Sequence, residues 1–280
     1  MTEGIRKVNA KRLFSAVVML LVLAGVSHAE LDSGIEEDYV PKDDGWRFII
    51  SPYAMLASQS TDVGGTRLRQ SFGDLSSLTN FGFQLVATVM YRNWLLTADG
   101  TYANLEAGDE GSLLRLDLNV EQFMLDLRLG YLVLSRVDHE DLSDVVRGWT
   151  LEVNAGAKYW RNDVTLDYAL TLGDPPPLVE DRLEETQAWW DPMLGAKVRI
   201  ILSRTVLLGL YASGGGFGIG DASDFSWDSL YTNTFKVSRL VSVTAGFRFF
   251  AYKRVDGEGE SELETSVSVY GPVLGVSFVF

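Results

Sequence analysis

The chain has 280 residues, with 24 Lys or Arg against 38 Asp or Glu, a formal net charge of −14, and no cysteine. So acidic a chain repels nucleic acid, and no basic stripe interrupts it, which excludes a nucleic-acid partner. The absence of cysteine excludes a disulfide scaffold and leaves a large self-sufficient core as the source of stability.

Residues 1–29 read as a signal peptide. Arg6, Lys7, Lys11 and Arg12 form a basic start, Leu13 to Val26 an apolar stretch, and Ser27-His28-Ala29 a small-x-small site, so export with cleavage after Ala29 is expected. A membrane-anchoring helix is the competing reading, but a span needs about 20 apolar residues and this run is shorter. Cleavage removes four basic residues and one acidic residue, leaving 251 residues with 20 basic and 37 acidic, net −17. Residues 30–45, "ELDSGIEEDYVPKDDG", read as an acidic periplasmic N-terminal segment, and 46–280 as a single β domain. No later run approaches about 18 consecutive apolar residues. Such a chain can span a membrane in one way only, as a closed barrel.

From Trp46 onward the hydrophobic period is two. In "NFGFQLVATVMY", Phe81, Phe83, Leu85, Ala87, Val89 and Tyr91 share a face opposite Asn80, Gln84 and Thr88. Ten segments of this kind are predicted: 46–58, 80–91, 94–105, 114–134, 148–168, 187–202, 205–219, 227–238, 241–254 and 264–280. Many exceed ten residues, which suits a tilted membrane crossing of about 9–11 residues. The fold class is therefore all-β, a closed antiparallel up-and-down transmembrane barrel of ten strands, with eight or twelve as the other counts that fit. Turns at 92–93, 203–204 and 239–240 are tight, whereas 59–79, 169–186 and 255–263 are long and polar, the asymmetry of outer-membrane barrels. The connection 135–148 is a long exception on the short-turn side.

Tryptophan placement follows the same frame. Trp46, Trp94 and Trp149 open strands at the short-turn end, and Trp190 and Trp227 open strands at the long-loop end. All five lie on the apolar face, which predicts two aromatic girdles at the headgroup levels. Trp189 falls on the other face and Trp160 fits neither girdle. The polar face carries Asp99, Glu121, Asp126, Arg128, Glu152, Lys158, Asp191, Lys197, Arg199 and Arg248 at mid-strand. A soluble barrel would put these in water and the apolar set inside. A membrane barrel inverts the arrangement, and five acids with five bases can pair within a narrow lumen.

Several local signals are sharper. The apolar phase of "LRLDLNVEQFMLDLRLGY" switches between Val120 and Phe123, which predicts a β-bulge near Glu121–Gln122. Pro52 and Pro272 lack a ladder donor, and both are expected on the seam between the first and last strands. The glycine-dense "SGGGFGIG" (213–220) lacks the Lys-Ser/Thr of a phosphate loop and reads as a strand-bending segment. In the last strand, Tyr270, Pro272, Leu274, Val276, Phe278 and Phe280 share the lipid face.

These residues resemble the small outer-membrane β-barrel proteins of Gram-negative bacteria, in the broad OmpA-type or porin-like sense. The matching pieces are "WRFIISPYAML", "TADGTYANL", "WWDPMLGAKVR", "GGFGIG", "TAGFRFF" and "GPVLGVSFVF". The resemblance implies outer-membrane residence, contact with outer-membrane lipids, and a C-terminal signal (Tyr270, Val276, Phe278 and Phe280) read by the outer-membrane assembly machinery. It implies no catalytic role.

After cleavage the one histidine is His139, on the predicted periplasmic connection, which argues against a His-dependent nucleophilic enzyme or a zinc site. Carboxylates facing the lumen could do acid–base work, but the interleaved Lys197, Arg199 and Arg248 favour structural ion pairs. No cofactor or metal is expected. With Trp189, Phe250 and Tyr252 also pointing inward, the expectation is a non-enzymatic barrel with a narrow or plugged lumen that passes small solutes. The alternative is a structural or surface-binding barrel acting through its extracellular loops.

Overall fold

The computed structural model describes residues 35, 39, 45–63, 66–71, 73–74, 79–110, 114–137, 148–170, 179–256 and 263–280. The predicted signal peptide, its cleavage site and His139 lie outside the described residues. Twelve strands form one antiparallel sheet: β1 (Trp46–Met55), β2 (Ser58–Val63), β3 (Thr66–Gln70), β4 (Thr79–Tyr91), β5 (Trp94–Glu110), β6 (Leu114–Val137), β7 (Gly148–Leu170), β8 (Val179–Ile201), β9 (Val206–Gly216), β10 (Phe225–Lys236), β11 (Val241–Asp256) and β12 (Leu263–Val279). Pairing runs β1-β4-β5-β6-β7-β8-β9-β10-β11-β12, and β12 pairs back to β1. The barrel is closed with ten strands. No helix among the described residues is long and apolar enough to cross a membrane.

Closure is made by the β1–β12 ladder, from Ile49↔Val279 to Met55↔Val273. Phe48 and Phe280 exchange both backbone hydrogen bonds, at 3.0 and 2.9 Å. Pro52 lies within β1 and Pro272 within β12, the two seam strands. The β1–β12 ladder skips from Ile50↔Phe278 to Tyr53↔Gly275, across Pro52. Leu56 N–H still donates to Pro272 O at 2.9 Å. Both missing donors are therefore confined to the seam strands. Beyond Leu56 the chain continues as β2, which pairs with the outer half of β12 and with β3. The expected loop 59–79 thus contains a short hairpin.

Alternation is inverted relative to a soluble barrel. Leu194 is 61% exposed, and Phe48, Phe83, Leu96, Leu129, Leu210, Phe247 and Phe278 stand with it on the outside, while Lys158, Asp126, Asp191 and Asp228 are fully buried within. This outer belt is what hydrocarbon accepts; a Lys or Arg there would cost about 2–4 kcal/mol at the bilayer midplane. Trp46 stacks on Tyr91 at 4.6 Å and Trp94 contacts Tyr131 edge-on at 4.8 Å at one rim. Trp190 packs on Tyr159 at 4.9 Å near the other, where Trp227 is also outward. Trp149 completes the short-turn girdle. On β12, Tyr270, Leu274, Phe278 and Phe280 are exposed and Val276 is half-buried on the same outward face.

Three expectations need correction. Pairing of β6 with β5 and β7 is continuous through Glu121 and Gln122, so no bulge lies there; the register shift is between Leu132 and Leu134. The apolar phase switches because β6 changes face without a bulge: above Phe123, Val120 and Leu118 stand on the inner face opposite Val164 and Leu166. The expected loop 169–186 is mostly strand, since β8 begins at Val179 and pairs with β7 as far as Leu170. The seventh predicted strand stops at Gly216, where Gly216, Phe217, Gly218 and Gly220 take positive φ of 79°, 60°, 60° and 62°.

Ser51 Oγ donates to Ser277 Oγ across the seam at 2.7 Å. The double variant Ser51→Cys/Ser277→Cys is therefore expected to form a disulfide that closes the strand ring covalently. Non-reducing electrophoresis after boiling checks this: the oxidised variant should migrate as a compact species, whereas an open sheet would leave both thiols free.

Candidate functional site in the lumen

Odd residues of β5 and even residues of β6 and β7 point inward by alternation, which brings side chains far apart in sequence to common levels. At the long-loop level stands an aromatic cluster. Trp160 stacks on Trp189 at 6.0 Å, and both meet Tyr252, at 4.9 and 5.3 Å, with Phe250 at 5.9 Å from Trp160. Met124 completes the packing. Trp160, which fits neither girdle, is a lumen residue.

Below this roof, Asp191 is satisfied by neutral donors. Trp160 Nε1 donates to its Oδ2 at 2.9 Å, Ser223 N to Oδ1 at 2.7 Å and Ser223 Oγ to Oδ2 at 3.0 Å. Trp189 Nε1 donates to Ser223 Oγ at 2.9 Å. The glycine-dense segment makes this contact possible: a Cβ on Gly216 would meet Ser223 O at 2.2 Å, and its positive φ is the left-handed region that favours glycine. The motif is the turn that carries Ser223 into the barrel.

The centre is an ion network with Asp228 as hub. Lys158 Nζ donates to Asp228 Oδ2 at 2.7 Å; Arg248 Nη2 reaches the same oxygen at 2.7 Å and Nε reaches Oδ1 at 3.2 Å. Arg248 Nη1 also pairs with Asp99 Oδ2 at 2.9 Å and donates to Tyr53 Oη at 2.7 Å, while Tyr53 Oη donates to Asp99 Oδ1 at 2.8 Å. Asp99 and Asp126 stand directly opposite each other across β5 and β6, a repulsive cross-strand pair unless cations intervene. Arg248 attends Asp99; Lys158 and Arg128 each approach Asp126 at 3.6 Å. Arg128 lies over the Tyr211 ring at 4.5 Å. Nearer the short turns, Arg199 Nη2 donates to Glu152 Oε2 at 2.8 Å.

The lumen therefore brings together nine of the ten expected charged residues: Asp99, Asp126, Arg128, Glu152, Lys158, Asp191, Lys197, Arg199 and Arg248. Glu121 is not among them. It has the parity of Phe123 and Leu127 and is exposed on the outer face. Its place as fifth acid is taken by Asp228, which sequence reasoning missed although Trp227 faces outward, so that alternation alone would have turned Asp228 inward. Tyr53 and Ser223 were missed too. The first sits beside Pro52 in an apolar run, and the second lies in a turn, where no periodicity exists.

At the short-turn end, Ile35 is fully buried against Ile201 and Leu207, and its N–H donates to Arg204 O at 2.8 Å. Tyr39 packs against Ile49, Met90, Leu95, Leu132 and Val279. These two members of the segment 30–45 enter the barrel mouth and form a floor.

Among solved structures, the outer membrane protease OmpT from Escherichia coli matches with a TM-score of 0.54 and 10% identity over 86% of this chain and 98% of that one. Neisserial surface protein A matches with a TM-score of 0.33 and 11% identity, covering 84% and 99%, and OprG of Pseudomonas aeruginosa with 0.30 and 13%, covering 86% and 98%; likenesses at these two scores carry no argument. No protein-family model and no curated protein sequence matches the chain. The class that fold and lumen define is a closed outer-membrane-type β-barrel with a filled, charged interior.

Breaking a buried ion pair from one side costs about 3–5 kcal/mol because a charge is left uncompensated. Asp228→Asn is expected to destabilise the barrel by about that much, read as a lower urea midpoint for unfolding in lipid vesicles. Asp167→Asn, at an exposed pair on the same sheet, should shift the midpoint by no more than about 0.5 kcal/mol.

Proposed function

We propose that the chain resides in a bacterial outer membrane as a closed, non-enzymatic barrel that acts through an extracellular sheet extension. The observation that best supports this is the filled lumen: Lys158, Asp126, Asp191 and Asp228 have no exposed surface, beneath a stacked Trp160–Trp189 roof. Asp99, Asp126, Glu152 and Asp228 are committed to cations, which favours structural over acid–base roles. On this reading the outward face of Tyr270, Val276, Phe278 and Phe280 is what the assembly machinery recognises and what then contacts outer-membrane lipid.

The extension is built from β6, β7 and β8, which stay paired from the Tyr159–Trp190 level to Leu170↔Val179. Its outer face is acidic. Asp163 accepts from Arg161 Nε at 2.7 Å and Thr186 Oγ1 at 2.6 Å, and these hydrogen bonds hold its carboxyl below the usual range. Arg182 donates twice to Asp167, at 2.6 and 3.0 Å, with the same effect. Its inner face carries Leu118, Val120, Val164, Leu166 and Leu183 in cross-strand register. Among the described residues, β8 pairs with β9 only from Met193, so Val179–Pro192 has an open edge flanked by Asp181, Glu184 and Glu185. An extended, basic segment of a partner chain matches such an edge: backbone hydrogen bonds extend the sheet and the acids complement its charge.

Passage of small solutes is the second reading, and one observation favours it: a cavity of about 160 Å³ remains between the ion network and Tyr39. Planar-bilayer recording separates the two. The refolded protein is expected to give no steady conductance steps, and large steady steps would establish the pore instead. Joining Asp163 to Thr186, which are opposite in register, through a short turn removes the extension. That variant should keep heat-modifiable migration and lose affinity for a lysine-rich nonapeptide by about tenfold or more; unchanged affinity would refute the extension's role.

A further inference from the structure

Lipid tests every outward side chain of the belt, because hydrocarbon offers no hydrogen-bond partner. On nine of the ten barrel strands, the outward positions between the two tryptophan levels are apolar residues or the tyrosines of the rims. Strand β10 is the exception. Between Trp227 and Phe235 its outward residues are Ser229, Tyr231 and Asn233. Two of these polar groups are satisfied within the chain: Ser229 Oγ donates to Phe249 O at 3.4 Å, and Tyr231 Oη donates to Asn233 Oδ1 at 2.8 Å. Asn233 Nδ2 carries two further donors, and neither finds an acceptor among the described residues.

The amide is deep in the belt. It lies four residues inside the exposed Val237 beside the β10–β11 turn and six residues from Trp227. With a rise of about 3.3 Å per residue and a strand tilt of about 40°, these steps place it about 10 Å from one rim and about 15 Å from the other. Headgroup water is out of reach at that depth, and a bare amide donor in hydrocarbon is costly. Asn233 is only half-buried, between Leu208 on β9 and the short Ala245 on β11, so a second surface can reach it.

Symmetry selects that surface. Copies of a barrel inserted in one orientation are related by axes along the membrane normal, so equivalent residues lie at equal depth. A ring of three or more sets each patch against a different one, and no other strand of this belt has a polar group to offer. A two-fold axis sets the β10 stripe against itself. A carboxamide suits such a contact because it is donor and acceptor at once, and Oδ1 keeps a second lone pair beside the one that Tyr231 uses.

We infer that two copies of this chain associate within the membrane through the outer face of β10. Asn233 Nδ2 of one copy donates to Oδ1 of Asn233 of the partner subunit, and the reverse, across a two-fold axis along the membrane normal. The inference rests on the barrel standing in lipid and is independent of the role of the extension.

Sedimentation equilibrium of the refolded full chain in density-matched detergent micelles is expected to show a dimer. Asn233→Leu, apolar like the rest of the belt, should keep heat-modifiable migration and weaken association by about tenfold or more. Leu127→Ala, at an outward position four residues inside Tyr131 on β6, should leave association unchanged. The chain has no cysteine of its own, so Asn233→Cys in lipid vesicles treated with iodine reports the contact directly: a covalent dimer is expected there and none for Leu127→Cys. A wild-type monomer at every protein-to-detergent ratio, or a ring larger than a dimer, would overturn the inference. So would an Asn233→Leu variant that associates as tightly as the wild type, or equal crosslinking at the two cysteine positions. Lost heat-modifiable migration in the wild type would instead overturn the membrane reading beneath it.

Discussion

Hydrocarbon offers no partner to a backbone N–H or C=O, so a sheet that crosses a membrane must satisfy every ladder position from within and cannot keep an edge. The rest of this structure follows from that constraint. It makes the pairing of β1 with β12, including the two hydrogen bonds between Phe48 and Phe280, a condition of the fold. It also explains where proline is tolerated. Pro52 and Pro272 fall on the two seam strands, and Pro192 falls on β8 just where its pairing with β9 stops.

Closure forces inversion, and inversion moves the electrostatic problem indoors. Once Phe83, Leu129 and Phe247 face lipid, the alternating partners must face a lumen too narrow to hydrate them. The response is sharing. Asp228 serves Lys158 and Arg248, and Arg248 in turn serves Asp99 and Tyr53, so few side chains satisfy many demands. The cation–carboxylate lattice crosses from β5, β6 and β7 to β10 and β11 and ties opposite walls of the barrel together. Aromatic residues cap it above and Ile35 with Tyr39 cap it below, with a cavity between.

Above the girdle the constraint lapses. The extension of β6, β7 and β8 meets water on both faces, so Leu118, Val164 and Leu183 can line the inner side while Asp163 and Arg182 occupy the outer one. That is the reverse of the parity enforced below. The edge of β8 that is open among the described residues is tolerable there for the same reason: water can satisfy what no strand does, and acidic side chains discourage unspecific pairing.

Period-two alternation, strand length and the two tryptophan levels were enough by themselves to determine a closed, inverted barrel and nine of its lumenal charges, while the choice of ten strands over eight or twelve came from the pairing itself. Alternation, length and tryptophan level are each a local consequence of facing lipid. The tertiary structure alone decided what depends on where strands stop meeting lipid or on contacts distant in sequence. Glu121 stands outward with unbroken register on both sides, so the change of apolar phase there carried no information about a bulge. Asp228 became the hub because β7 and β11 bring Lys158 and Arg248 to its level, and pairing across 70 residues leaves no trace in a local pattern. Ser223 reaches Asp191 through a turn of left-handed residues, and Ile35 enters the mouth from a segment without periodicity. In both cases the position is set by closure of the whole ring and not by the identity of neighbouring residues.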